Sequence, residues 1–144
     1  MAKQGRHEEE YDLYKTIAGT AGVSKRILSN AYCNLGTMQE SNIPMEIEYY
    51  RKALENDPSN VAALQSMGSA YASLKDWKIA VDHYRRSAEL DRDNYEVLTL
   101  LYRAAAQQLR TETKSSPQSR EAMMERLGEI MGISNMNRLL TLKN

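Results

Sequence analysis

Ile47-Glu48-Tyr49-Tyr50-Arg51-Lys52-Ala53-Leu54-Glu55-Asn56-Asp57 returns 34 residues later as Val81-Asp82-His83-Tyr84-Arg85-Arg86-Ser87-Ala88-Glu89-Leu90-Asp91. In this register Tyr50, Arg51, Glu55 and Asp57 meet identical residues. Ile/Val, Glu/Asp, Lys/Arg and Ala/Ser pair conservatively. Further on, Asn60 falls on Asn94, Leu64 on Leu98 and Met67 on Leu101. A self-match that keeps its register through two apolar-periodic stretches is an internal repeat. A period of this length is the mark of stacked supersecondary units.

Periodicity and punctuation turn the repeat into helices. Leu64, Met67, Gly68 and Tyr71 stand at i, i+3, i+4 and i+7, one face of a helix. Asn60 and Asn94 are N-cap residues just before apolar stretches. Lys75-Asp76 makes a turn, with Asp76 expected to cap a helix that carries Ile79, Ala80, Val81, Tyr84 and Ala88 inward. Pro44 fits a first helical turn, where its missing N–H costs nothing. Pro58 stands just past the end of that helix and stops it. The reading predicts helices over 7–18, 25–40, 44–56, 61–74, 77–91, 95–112, 118–131 and 134–142. Thr111–Ser119 is the clear polar linker between them.

Composition bounds the rest. The chain has 144 residues, 42% hydrophobic and 26% charged, which predicts one soluble globular domain. Lys plus Arg equals 19 and Asp plus Glu equals 19, so no electrostatic footprint points to nucleic acid or an acidic membrane. Cys33 is the single cysteine, which fits a reducing compartment. The first ten residues lack the apolar core of a secretory signal, and no apolar run reaches the length of a membrane span. A cytoplasmic protein is expected.

The segment Val61–Asn94 resembles the tetratricopeptide repeat family. That pattern is Trp-x2-Leu-Gly-x2-Tyr, then Ala-x3-Phe, then a small residue and Pro. Here it reads Leu64-x2-Met67-Gly68-x2-Tyr71, then Ala80-x3-Tyr84, then Ser87, with Arg92 where Pro is usual. The preceding repeat supplies Tyr50, Ala53 and Pro58. The resemblance is strong over about 44–110 and degenerate outside. It implies an all-α, right-handed α-α superhelix of about three helix pairs, with an extra N-terminal helix and a C-terminal capping helix. The single domain of 1–144 then divides into an N-terminal helix (7–23), repeat 1 (24–60), repeat 2 (61–94), a divergent repeat 3 (95–132) and a cap (133–144).

Two registers stand open for repeat 1. Tyr32-x2-Leu35-Gly36 copies the motif but leaves the unit two residues short. Ser24 as N-cap, with Leu28, Ala31, Tyr32 and Leu35 inward, leaves it two residues long. The second is preferred, because it also aligns Tyr11–Ala18 with Val81–Ala88. The N-terminal helix then reads as a B helix without its own A helix. In repeat 3, Tyr102 stands where repeat 2 has Gly68, so a different packing is expected. Met123, Leu127, Ile130, Leu139, Leu140 and Leu142 supply apolar faces to the last two helices.

The resemblance implies a concave surface lined by A helices, suited to an extended peptide or a helix. Its expected floor is Arg26, Ser29, Cys33 and Gly36 from repeat 1. Repeat 2 contributes Ala62, Gln65, Ser69, Ala72 and Ser73, and repeat 3 contributes Glu96, Thr99, Arg103, Ala106 and Gln107. Some family members grip a C-terminal carboxylate with a Lys/Asn/Arg clamp. Gln65, Ser69, Glu96 and Leu100 hold those positions here, so that mode is not expected, while Arg103 is an expected contact for an acidic ligand.

Other residues have plain readings. Tyr50, Tyr71 and Tyr84 fill the repeat's aromatic core positions, and Tyr49 and Tyr95 are surface candidates. Cys33 is expected as a buried or groove-floor thiol. His83 is expected to face solvent. Glu8-Glu9-Glu10 complements a helix N-terminal dipole. Ser116-Pro117 reads as N-cap and N1. Met123, Met124, Met131 and Met136 are equally core filling or an adaptable binding surface.

His7 and His83 match no metal spacing. No phosphate loop, Ser/His/Asp set or catalytic carboxylate pair is present in the sequence. The expectation is a non-enzymatic adaptor, scaffold or chaperone that binds another protein or peptide, without cofactor or metal. The alternative is a self-assembly module that pairs with a second copy through its terminal helices.

Overall fold

The computed structural model describes residues 2–141, with side chains from Gln4 onward. All regular structure among these residues is α-helical. In chain order the helices are α1 (Ala2–Ala18), α2 (Lys25–Thr37), α3 (Ile43–Asn56), α4 (Val61–Ser73), α5 (Trp77–Leu90), α6 (Tyr95–Thr113), α7 (Arg120–Met131) and α8 (Ile133–Thr141). The expected boundaries hold within three residues, except that α1 begins at Ala2. Leu142 lies outside the described residues. None of these helices is long and apolar enough to cross a membrane.

Caps explain most of the helix starts. The side chains of Ser24, Asn42, Asn60, Asn94 and Ser119 accept hydrogen bonds from the backbone N–H three residues on. Each satisfies a donor that the first turn leaves without an intrahelical partner. Two expectations are corrected here. Asp76 precedes α5 but makes no side-chain cap bond. Ser119, not Ser116, caps α7, so Pro117 lies in the linker rather than at N1. The early start of α1 corrects a third. Glu8, Glu9 and Glu10 lie beyond its first turn, too far in to complement the dipole of its N-terminus.

The chain divides into two compact units, residues 1–67 and 68–144, and the division falls inside α4. In the first unit α2 packs against α3, and α1 packs against α2. Ala31, Leu35, Tyr50, Ala53, Ala63, Leu64 and Met67 are buried there. α1 contributes half-buried Tyr11, Tyr14 and Ile17. Tyr49, expected at the surface, is 8% exposed, and its ring stacks on that of Tyr32 at 6.4 Å. The Lys52 ammonium lies 5.7 and 5.8 Å from those two ring centroids, a cation–π contact with both.

A polar chain fixes this unit internally. Ser29 Oγ donates to the Ala53 carbonyl at 2.7 Å, and Asn60 Nδ2 donates to Ser29 Oγ at 2.8 Å. Asn60 Oδ1 meanwhile caps α4 through the Ala63 N–H at 3.1 Å. Three helices share these two buried side chains, so neither polar group is left unsatisfied.

In the second unit α5 and α6 pack together and α7 and α8 close against them. The core is Ala80, Val81, Tyr84, Ala88, Val97, Leu98, Leu101, Ala104, Ala105, Leu109, Leu127, Ile130, Met131 and Met136. Ile79 is 36% exposed, against expectation, since it falls a quarter-turn outside the Ala80–Tyr84 stripe. His83 is half-buried rather than free in solvent. Its ring stacks on Tyr71 at 5.8 Å, and Nδ1 lies 2.9 Å from the Ile79 carbonyl. Met131 and Met136 are buried, Met123 packs on the core and Met124 is exposed, so core filling takes most of the methionines. Leu139 packs on the core, whereas Leu140 is exposed.

α7 and α8 are also held by charge-assisted bonds. Arg126 Nη2 lies 2.9 Å from Glu112 Oε1, tying α7 to the end of α6 across the polar linker. Arg138 donates to the Arg92 carbonyl at 2.8 Å and the Ala88 carbonyl at 3.1 Å, closing the C-terminus of α5. It also bonds to Asn135 Oδ1.

The two registers of repeat 1 each hold part of the answer. Ser24 does cap α2, as the preferred register requires. Yet Gly36 does the work of Gly68. A Cβ on Gly36 would stand 2.5 Å from Tyr50 Cε1, and one on Gly68 would stand 2.7 Å from Tyr84 Cε1. From Ser24 to Gly36 is twelve residues, and from Asn60 to Gly68 is eight. The difference of four is about one helical turn. The glycine contact has slid one turn along its helix. The chain then turns early, through Glu40 and Ser41 at φ 37° and 71°, which is why α2 ends at Thr37 rather than 40.

Candidate functional site

The sequence places the expected binding residues on α2, α4 and α6. The structure is clearest for α6. Its inward face buries Val97, Leu98, Leu101, Ala104, Ala105 and Leu109. That burial turns Tyr95, Glu96, Thr99, Tyr102 and Arg103 to solvent, with Gln107 half-buried at the far end. Tyr95 is 58% exposed and Tyr102 43%. The exposed stripe follows from helical geometry, since 95, 99 and 102, and 96, 99 and 103, recur at three- and four-residue steps.

The chemistry of this face is mixed. Arg103 offers a guanidinium with no partner among the described residues, suited to a carboxylate or a peptide carbonyl. Thr99 Oγ1 already donates to the Tyr95 carbonyl at 3.0 Å and has acceptor capacity left. Tyr95 and Tyr102 present large apolar rings with polar tips, the residue type enriched where proteins meet. Tyr102 stands where repeat 2 has Gly68, and at 43% exposure its ring is accommodated on the solvent side of α6.

The remaining expected residues separate by burial. In the second unit Ser69 is exposed, but its hydroxyl lies 2.8 Å from Tyr84 Oη, and Ala72 packs on the core. In the first unit Arg26 is exposed and Gln65 half-buried. Ser29 is fully buried in the polar chain described above. Cys33 is 6% exposed, and burial pushes its thiol pKa up to about 11, so it stays protonated and inert near neutral pH. Gly36 is buried beneath Tyr50. The outward residues of α2 are instead Lys25, Arg26, Ile27, Asn30 and Thr37. Counting from the glycine rather than the cap would have found the last two, since Ala62 then falls on Asn30 and Ser69 on Thr37.

Among the described residues no group of three His, Cys, Asp or Glu side chains is placed to hold a metal ion.

No protein-family model matches the chain. Over 54 residues the chain is 39% identical to General transcription factor 3C polypeptide 3 of Homo sapiens, which contains tetratricopeptide repeats. That stretch covers 38% of this chain and 6% of the human protein. The chain thus spans a small fraction of that relative's length, and the likeness is one of sequence over part of each protein.

Proposed function

We propose that this chain is a protein-interaction module of the tetratricopeptide kind, an adaptor, scaffold or chaperone with no chemistry of its own. In this reading its helix pairs form an α-α superhelix, and the A-type helices receive a peptide or a helix from a partner. The observation that carries the reading is the repeated glycine–tyrosine wedge, Gly36 under Tyr50 and Gly68 under Tyr84, each inside its own unit. The partial likeness to a repeat-containing human protein supports it. The exposed α6 face supplies the recognition chemistry, with Arg103 reading an acidic group and Tyr95 and Tyr102 covering apolar side chains.

The test is partner capture from the native host by the wild-type chain and by Arg103→Glu combined with Tyr102→Ala. Both substitutions are at exposed positions, so helicity should be unchanged. Loss of a specific captured protein supports the reading. Identical captured sets would remove α6 as the contact face.

A second reading, self-assembly, rests on apolar side chains left outside at the terminal helices. Leu13 is 57% exposed on α1 and Ile133 is 71% exposed on α8. Sedimentation velocity separates the two readings, since a concentration-independent monomer removes the second.

A further inference from the structure

α1 is only half packed. Tyr11, Tyr14 and Ile17 lean inward, but residues 4–10 are exposed throughout. Gln4, His7, Glu8 and Tyr11 form one face of this helix, at i, i+3, i+4 and i+7. That face does not close on the turn between α2 and α3. Between them lies a cleft of about 930 Å³, with Met38 and Glu40 on its far wall. Its volume is in the range of sites that take a peptide side chain or a small ligand.

The lining has one sign of charge. Glu8 and Asp12 stand on the α1 wall and Glu40 on the opposite one. Among the described lining residues none is Lys or Arg. The one basic group is His7, whose Nε2 lies 4.0 Å from Glu40 Oε1. The chain as a whole is neutral, so this concentration of carboxylates around a concavity is local. Carboxylates gathered around a concavity attract a cation more strongly than the same groups spread over a flat surface. Tyr11 and Met38 add apolar surface, and a thioether adapts to different neighbours.

We propose that this cleft is a second docking surface, distinct from α6, whose occupant is a basic peptide segment. Its lysine or arginine side chains pair with Glu8, Asp12 and Glu40, and an intervening apolar residue covers Tyr11 and Met38. Charge complementarity selects this occupant over an acidic or purely apolar one. The unpacked half of α1 provides the length of wall that a peptide, rather than a single ion, requires.

The test uses the full chain and a fluorescein-labelled peptide of alternating arginine and leucine, read by anisotropy at low salt. A matching peptide with glutamate for arginine is the sign control. Glu8→Gln, Asp12→Gln and Glu40→Gln together should raise Kd about tenfold or more. Glu89→Gln, Glu121→Gln and Glu125→Gln, exposed carboxylates outside the cleft, should leave Kd unchanged. Amide NMR of the wild-type chain adds a readout that needs no variant, with shifts expected at Tyr11 and Met38–Glu40. The proposal is overturned if the arginine peptide does not bind or if both carboxylate triples weaken it alike. Peptide-induced shifts on α6 would overturn it as well. Shifts at these amides that grow with protein concentration and without peptide would assign the cleft to a second copy instead.

Discussion

The ring of Tyr84 lies against Gly68 so closely that a Cβ there would stand 2.7 Å from both Cδ1 and Cε1. The obstacle is an aromatic ring that is itself buried at 2% exposure and tied to Ser69, so it has little freedom to yield. Gly68→Ala gains about 1 kcal/mol of helix propensity but forces an overpacked contact costing about 1–3 kcal/mol. A net destabilisation is expected in urea unfolding. Gly128→Ala is the control of opposite sign. Gly128 is inside α7 with nothing within 4 Å of an added Cβ, so it should stabilise by about 0.5–1 kcal/mol.

Ser29 and Asn60 should behave as one unit. Asn60→Ala removes the α4 cap and strips Ser29 of its donor, with an expected cost of about 2–3 kcal/mol. Ser29→Ala leaves the Ala53 carbonyl without this donor and Asn60 Nδ2 without its 2.8 Å acceptor. A double-mutant cycle measured by denaturation should give a coupling of about 1 kcal/mol or more. Simple additivity would contradict the shared network.

Alkaline pH should loosen the first unit. Burial raises the Cys33 pKa from 9.0 to about 11 and the Tyr50 pKa from 10.0 to about 12. Both groups are neutral when protonated, so below pH 9 folded and unfolded chains hold the same protons at these sites. Above pH 9 the unfolded chain releases them first, and stability falls until the folded pKa values are passed. For Cys33 the loss is about 2–3 kcal/mol between pH 9 and 11. Cys33→Ala should flatten that part of the profile, as followed by thermal melts across the range.

Arg138 should hold α8 to α5. Its bonds to the Ala88 and Arg92 carbonyls place a cation at the negative end of α5. Arg138→Ala should cost about 1–2 kcal/mol and raise amide exchange in α8 before the rest of the second unit. Arg138→Lys should recover only part, because a point charge does not reproduce a planar fork.

The helices were legible from the sequence because their signals are local. Asn60 and Asn94 cap where the period demands it, and Pro58 stops the helix it follows. The sites were less legible because they depend on which face each helix turns inward. The 34-residue period gives that face where it is kept, and on α6 Glu96, Thr99 and Arg103 are exposed while Ala106 and Gln107 are half-buried. It slips in α2, where cap and glycine give registers four residues apart, and Ser29 and Cys33 fall inside. Tyr49 was misplaced for a related reason. Its ring stacks on that of Tyr32, which stands on α2 where the register slips. The acidic cleft had no sequence signal, because only the turn after α2 brings Glu40 to the same cleft as Glu8 and Asp12.

Site-specific photocrosslinking tests the central claim most directly. Benzoylphenylalanine replaces Thr99 on the exposed face of α6 in one chain and Glu125 on α7 in another. The account predicts that the Thr99 position forms a covalent adduct with a defined host protein and that the Glu125 position does not. Equal crosslinking from both positions, or none from Thr99 while the intact chain still captures that protein, would contradict it.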